Sequence, residues 1–102
     1  MNYSDRVYNM IGLAFKGGNL MAGTEKCKKV VLGDRAKLVL LSTDCSKNTR
    51  KLFYDKCLYR GIPVATFGTK DRLGRAVGKD NRTVLAVLDE GFSREILKLI
   101  GK

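Results

Sequence analysis

The chain has 102 residues, and its 20 Lys and Arg side chains against 10 Asp and Glu give a formal net charge of +10. This length is typical of one domain, and a hydrophobic content of 44% indicates a globular rather than a disordered chain. The sequence has no histidine, which excludes Ser-His triads and every zinc site with an imidazole ligand. Its uncharged runs are far shorter than the ~20 residues of a membrane span, so we expect no membrane partner.

The first half of the chain predicts two helices and two strands. Apolar residues recur at helical spacing from Tyr3 to Ala14, and Gly17-Gly18 ends that helix. Asn19 to Ala22 is a short strand, and Gly23-Thr24 then opens a second helix. The segment Lys37 to Thr43 is mostly apolar and partly β-branched, as is typical of a strand buried on both faces.

The second half continues the alternation. Ser46 can cap a third helix, and Val64 to Phe67 is a strand after a proline. Thr69 can cap a short fourth helix, Thr83 to Leu88 is another buried strand, and apolar residues from Phe92 to Ile100 mark a closing helix. The order αβαβαβαβα, with largely apolar central strands, predicts a single α/β/α layered domain.

Candidate catalytic motifs are weak. The segment Gly74 to Asp80 carries the glycines and lysine of a phosphate-binding loop but misses the G-x-x-x-x-G-K-[ST] spacing by one residue. We therefore predict a turn and close helix packing there. Asp44 and Asp89 follow strands, and helix capping is their predicted role because no histidine or third acid lies nearby in the sequence. The sequence predicts no catalytic residue, metal or cofactor.

The three cysteines are predicted to be unpaired. Cys27, Cys45 and Cys57 are odd in number and have no C-x-x-C spacing, so we expect buried or half-buried thiols in a reducing compartment, the cytoplasm. A thiol enzyme built on Cys27 is the weaker alternative, because a helix start lowers the pKa of a thiol.

The positive charge is concentrated in the middle of the chain, where residues 24–82 carry 15 basic and 6 acidic side chains. This concentration is typical of a nucleic-acid-binding surface. The start of the second helix is a natural anion site, with Lys26 and Lys29 on one face and Lys28 on its flank. Glu25 would repel a phosphate, so we interpret it as a favourable helix-end charge or an acceptor for base amino groups. The alternative is a solvated first turn.

A second basic run surrounds Leu73. A mixed apolar and basic loop can receive an unstacked base while its charges hold the RNA backbone, although a solvated helix face is the alternative. The run consists of Lys70, Arg72, Arg75, Lys79 and Arg82. The complete predicted RNA-binding set is Gly23, Thr24, Glu25, Lys26, Lys28, Lys29, Lys70, Arg72, Leu73, Arg75 and Lys79.

Two groups of motifs resemble a known family. The run Gly23-Thr24-Glu25-Lys26-Cys27-Lys28-Lys29 with Ala36-Lys37-Leu38-Val39, and later Leu73-Gly74-x-Ala76-x-Gly78-Lys79 with Ala86-Val87-x-Asp89, resembles the ribosomal L7Ae/L30e superfamily of kink-turn RNA binders. Asp44-x-Ser46-x-Asn48-Thr49, Asp55-Lys56-Cys57 and Asp89-x-Gly91-Phe92 are similar to its bacterial YlxQ branch. The resemblance covers essentially residues 3–100.

This resemblance implies a three-layer α/β/α sandwich with a four-stranded mixed sheet, as one non-catalytic, monomeric RNA-binding domain over residues 1–102. It implies a first RNA patch at the start of the second helix and a second patch, from Phe67 to Leu73, for a bulged nucleotide. Strong kink-turn binders of the family commonly have Asn-Glu or Lys-Gln where this chain has Glu25 and Lys26. We therefore predict binding to structured or ribosomal RNA ahead of kink-turn specificity.

Two alternative functions remain open at this point. Similar domains serve as RNA-substrate arms of ribose methyltransferases, so the chain would partner a separate rRNA-modifying enzyme. It would otherwise act as a protein-interaction adaptor on the ribosome, using the exposed side of its helices.

Overall fold

The structure is a computed structural model that describes residues 2–101. Over this range helices and strands alternate as the sequence predicts. They are α1 (Tyr3–Lys16), β1 (Leu20–Ala22), α2 (Thr24–Leu32), β2 (Leu38–Leu41), α3 (Lys47–Arg60), β3 (Val64–Thr66), α4 (Lys70–Ala76), β4 (Val84–Val87) and α5 (Glu90–Ile100). All four strands are shorter than predicted, because their end residues make single hydrogen bonds rather than continuing the ladder.

The four strands form one mixed sheet in the order β1-β4-β2-β3. β4 is antiparallel to both of its neighbours, whereas β2 and β3 are parallel. The carboxyl ends of β1, β2 and β3 therefore lie at the same edge as the start of β4. We call this end of the strands the top edge of the sheet; it comprises Gly23 and residues 42–46, 67–70 and 80–83. The lower edge is the opposite one.

Helices cover both faces of the sheet, which confirms the predicted three layers. Side chains alternate along β2, so that Leu38 and Leu40 pack in a core with α1, α4 and α5. Val39 and Leu41 pack on the other face in a second core with α2 and α3. All residues of β2 and β4 are buried, as expected for central strands covered on both faces.

The predicted capping residues are largely confirmed. Ser46 Oγ accepts a hydrogen bond from the Thr49 amide (3.1 Å), and Asp89 Oδ2 accepts one from the Phe92 amide (2.8 Å). Asp44 also binds a helix start, but that of α4: its Oδ1 accepts the Lys70 amide at 3.0 Å. None of the described helices is long and apolar enough to cross a membrane.

The segment predicted to be a turn rather than a phosphate loop is indeed a turn. A Cβ on Gly74 would collide with the Asp80 carbonyl, so only glycine allows this close approach. The Lys79 amide donates to the Gly74 carbonyl at 2.8 Å, and Gly78 takes the left-handed conformation that closes the turn. This turn returns the chain to the top edge before β4 begins.

Candidate nucleic-acid interface

Three helices begin at the top edge. α2 follows β1, α3 follows β2 and α4 follows β3, and these three strands all end at this edge. The amide end of each helix carries the positive end of its dipole. The fold therefore gathers three positive helix ends at one edge of the sheet.

The start of α2 differs from the other helix starts that the structure describes. Asn2, Ser46, Thr69 and Asp89 each place a side-chain oxygen on a first-turn amide of their helix. α2 begins instead at Gly23, which has no side chain and makes no such bond. Its amides are therefore left open to an external acceptor.

Two backbone hydrogen bonds hold Gly23 in place at the start of α2. Its amide donates to the Val84 carbonyl of β4 at 3.0 Å, and its own carbonyl accepts the Cys27 amide at 3.0 Å. Its φ of 106° lies in the region that favours glycine. The open helix start is thus a rigid feature of the fold.

The turn before β4 packs beside this start. Residues 22–26 line a depression of about 370 Å³ together with Asn81, Arg82 and Thr83. The Arg82 guanidinium folds back onto its own turn and donates to the Asn81 carbonyl at 2.9 Å. The Arg82 amide donates to the Lys70 carbonyl at 3.0 Å, which joins α4 to the same surface.

The predicted RNA-binding set does not contain Arg82 or Asn81, although Arg82 belongs to the second basic run. No spacing in the sequence indicates that residues 81–83 meet Gly23, because their contact depends on the pairing of β1 with β4. The basic character of Arg82 was the one available signal.

The lysines of α2 differ in their surroundings. Lys26 and Lys29 are exposed, whereas Lys28 is half-buried with its Nζ 3.8 Å from Glu25 Oε2. The Glu25 side chain is itself 79% exposed. Its carboxylate therefore stands in solvent beside the open amides, where it can accept a hydrogen bond from a ligand.

The second basic run does not form one loop patch. Lys70 lies at the top edge, whereas Arg72, Arg75 and Lys79 lie along α1. The Arg72 guanidinium is 4.4 Å from the centre of the Tyr8 ring, and Arg75 lines the same groove between α1 and α4. The sequence predicts that these residues are basic and exposed, but the packing of α4 on α1 divides them between two surfaces.

One predicted contact residue requires correction. Leu73 is fully buried in the core with α1 and α5, so its side chain is not presented to a ligand. It faces the sheet from the inner side of α4, as does the buried Val77, which ends that helix. Phe67, the first residue of the predicted second patch, is also buried, and its ring centre lies 4.8 Å from that of Tyr8.

The cysteines are unpaired, as predicted, with Cys27 and Cys57 buried and Cys45 half-buried. Burial raises the pKa of the Cys27 thiol to about 12 and that of Cys57 to about 11. The thiol enzyme considered for Cys27 needs a lowered pKa, and the fold has the opposite effect. Within residues 2–101, no group of three or more Cys, Asp and Glu side chains is arranged to hold a metal ion.

The family of the protein follows from the sequence as a whole. Residues 5–97 match the family model described as the Ribosomal protein L7Ae/L30e/S12e/Gadd45 family. The chain belongs to this family. The resemblance that its motifs indicated is therefore confirmed.

Two members of the L7Ae/L30e/S12e/Gadd45 family are similar to nearly the whole chain. The RNA-binding protein YlxQ of Bacillus subtilis (strain 168) is 38% identical over 93 residues, which cover 91% of this chain and 93% of the relative. The RNA-binding protein YlxQ of Enterococcus faecium is 32% identical over 102 residues and covers 98% of each chain. Within the family, the chain falls in the YlxQ-like branch.

Solved structures support the same fold. A protein of unknown function from Bacillus halodurans C superposes with a TM-score of 0.90 at 40% identity, covering 94% of this chain and 97% of the other. The 15.5kD RNA binding protein of Giardia lamblia gives a TM-score of 0.77 at 19% identity, covering 97% and 85%. The second likeness is one of fold alone.

Proposed function

We propose that the chain is a non-catalytic, single-domain RNA-binding protein of the translation machinery, acting in the cytoplasm as a monomer. The observation that carries this proposal is the uncapped start of α2, which lies beside Lys26 and Arg82. Two relatives that match nearly the full chain are named RNA-binding proteins, and the family is described as one of ribosomal proteins.

The top edge suits a phosphodiester backbone. A phosphate at the start of α2 accepts the open amides and neutralises the positive helix end. Lys26 and Arg82 line the depression at that start, while Lys29 lies further along α2 and Lys70 begins α4, whose backbone binds the Arg82 amide. These contacts recognise the RNA backbone, so they set affinity and orientation rather than sequence.

Selection among RNA structures falls to Glu25. A carboxylate accepts hydrogen bonds from base amino or imino groups and repels phosphates, so it favours RNAs that present base edges to the helix start. A sheared or bulged region offers such edges, whereas an unbroken A-form duplex keeps them in its grooves. We propose that the RNA is structured, and that Glu25 and Lys26 decide whether a kink-turn is accepted.

The deciding experiment is a titration of labelled kink-turn RNA, ribosomal RNA fragments and plain duplex at several salt concentrations. If about five phosphates are neutralised, log K falls with log salt at a slope of roughly −3 to −5. A slope near zero for all three RNAs would overturn the proposal. Selective binding of the kink-turn establishes the finer specificity, and equal binding of all three removes it.

The Glu25→Gln variant extends the same titration. Removing the charge while keeping an acceptor raises affinity for plain duplex more than for the preferred RNA, which reduces selectivity about tenfold. Glu95→Gln removes an exposed glutamate charge from α5, outside the top edge, and serves as the control. A Glu25→Gln effect equal on every RNA would show that Glu25 reads no base.

A second candidate is supported by the outer face of α3. Leu58 and Tyr59 are 83% and 86% exposed, and Tyr54 is 41% exposed. Exposed apolar residues on one helix favour contact with another protein, which is the adaptor role on the ribosome. Ribosome association that survives RNase treatment and is lost in the Leu58→Ser/Tyr59→Ser variant would favour this role over RNA binding.

A further inference from the structure

A groove of about 600 Å³ runs between α1 and α4. It begins beneath the top edge at Tyr8 and extends down to Lys16, the last residue of α1. The two helices approach closely at its floor, because a Cβ on Gly12 would lie 3.1 Å from the Ala76 carbonyl. The groove is therefore a fixed depression between two packed helices.

Cations dominate the walls of this groove. Lys16, Arg72 and Arg75 line it, and Lys79 continues the row with its Nζ 6.0 Å from the centre of the Phe15 ring. The nearby carboxylates bind these cations only at the surface. Arg72 is 3.8 Å from Asp5 and Arg75 is 3.0 Å from Asp71, with all four side chains about half exposed or more. Ion pairs exposed to this degree contribute little, so an incoming anion can displace them.

The groove is continuous with the top edge. The Tyr8 hydroxyl lies against Gly68, in the loop that leads to Lys70, and the Tyr8 ring packs on Phe67. The Arg72 guanidinium also packs over this ring. An RNA strand that leaves Lys70 and passes Tyr8 therefore meets Arg72 first and then the cations further down the groove.

We propose that RNA bound at the top edge continues down the groove between α1 and α4, where Lys16, Arg72, Arg75 and Lys79 neutralise the phosphates of a flanking segment. This inference rests on the RNA-binding function proposed above. The walls of the groove are cationic, and their ion pairs with Asp5 and Asp71 are exposed. The groove therefore fits a phosphodiester backbone better than an apolar ligand. Its continuity with the top edge favours the same RNA over a separate acidic peptide.

The first test compares two forms of one RNA by NMR of the ¹⁵N-labelled protein. The RNA is the tightest binder among the kink-turn, ribosomal fragment and duplex probes, in a short form and in a form extended by about 12 base pairs at each end. At roughly 3 Å per pair this extension matches the 35 Å length of the molecule. We expect the short form to shift the amides of α2 and Arg82. The extended form should also shift those of Leu13, Lys16 and Arg75.

The second test uses variants of two exposed groove cations. Lys16→Gln/Arg75→Gln should weaken binding of the extended RNA about tenfold and reduce its salt slope by about 2, leaving the short form within twofold. Lys56→Gln/Arg94→Gln removes the same charge from α3 and α5 and is the matched control. Thermal melts of both variants establish that the fold is retained.

The outcomes separate the two proposals. If the wild-type protein binds none of the probes, the proposed function fails and this inference fails with it. If it binds them but the extended RNA leaves the Lys16 and Arg75 amides unmoved, only the groove proposal is overturned. Shifts of these amides with a poly-glutamate peptide, but not with the extended RNA, also overturn it and assign the groove to an acidic protein.

Discussion

α2 and α4 both begin at the top edge of the sheet, with the positive ends of their dipoles there. They differ in whether their first-turn amides are free to bind a ligand. At α4, Thr69 Oγ1 accepts the Arg72 amide and Asp44 Oδ1 accepts the Lys70 amide. At α2, Gly23 supplies no acceptor. The protein's own side chains thus satisfy one helix end, while the other is left for an external anion. The open amides distinguish the start of α2 from the rest of the basic surface and make it the candidate site.

The largest predicted effect comes from reversing charge at the open start. Lys26→Glu/Lys29→Glu should weaken RNA binding about a thousandfold at 0.15 M salt, since two phosphate contacts become repulsive. Lys47→Glu/Lys51→Glu makes the same reversal in the first turns of α3, whose start Ser46 caps. Fluorescence titration should give less than a tenfold loss for this control. Equal losses of RNA affinity in the two variants would contradict the idea that an open helix start binds RNA better than a capped one.

A smaller effect is expected from removing a cap. Thr69→Ala should lower the free energy of unfolding by about 1 kcal/mol, because it leaves the Arg72 amide without its acceptor. Thr24→Ala at the start of α2 is the matched control and should change stability much less, since no side chain caps that helix. Urea denaturation measures both. A larger loss from Thr24→Ala would mean that α2 has a cap after all.

The smallest effect concerns pH. The Lys70 amide lowers the pKa of the Asp44 carboxyl, so the ionised form stabilises the fold. That contribution is fully present above the ordinary aspartate pKa of about 4 and is lost as pH falls through the lowered value. The melting temperature of wild type should exceed that of Asp44→Asn by a constant margin from pH 7 to about 5. The margin should then shrink below about 4. A margin that does not change with pH would contradict this role.

The sequence predicted the elements well because their signals are local. Apolar spacing and turn residues mark each helix and strand within a few positions, and Ser46 and Asp89 cap as expected. Asp44 shows the limit of that reasoning. Helix capping is its predicted role, but the sequence does not show which helix it caps: it binds α4, in a contact between residues 26 apart in the sequence.

The candidate site was predicted only in part for the same reason. The α2 lysines and Glu25 belong to one helix turn, so their grouping is visible in the sequence. The approach of Arg82 to Gly23 requires β4 to lie between β1 and β2, and sequence periodicity carries no information about strand order. The exposure of Arg75 and the burial of Leu73 depend on how α4 packs against α1 and the sheet.

The pairing of β1 with β4 also sets when the binding surface can form during synthesis of the chain. β1 is an edge strand whose one neighbour in the sheet is β4, and the Gly23 amide binds Val84. Until residues 84–87 leave the ribosome, the start of α2 has neither its anchor nor Arg82 beside it. A nascent chain that already contains every lysine of α2 therefore lacks the assembled surface, and under the proposed function this surface can bind RNA only after β4 has joined the sheet.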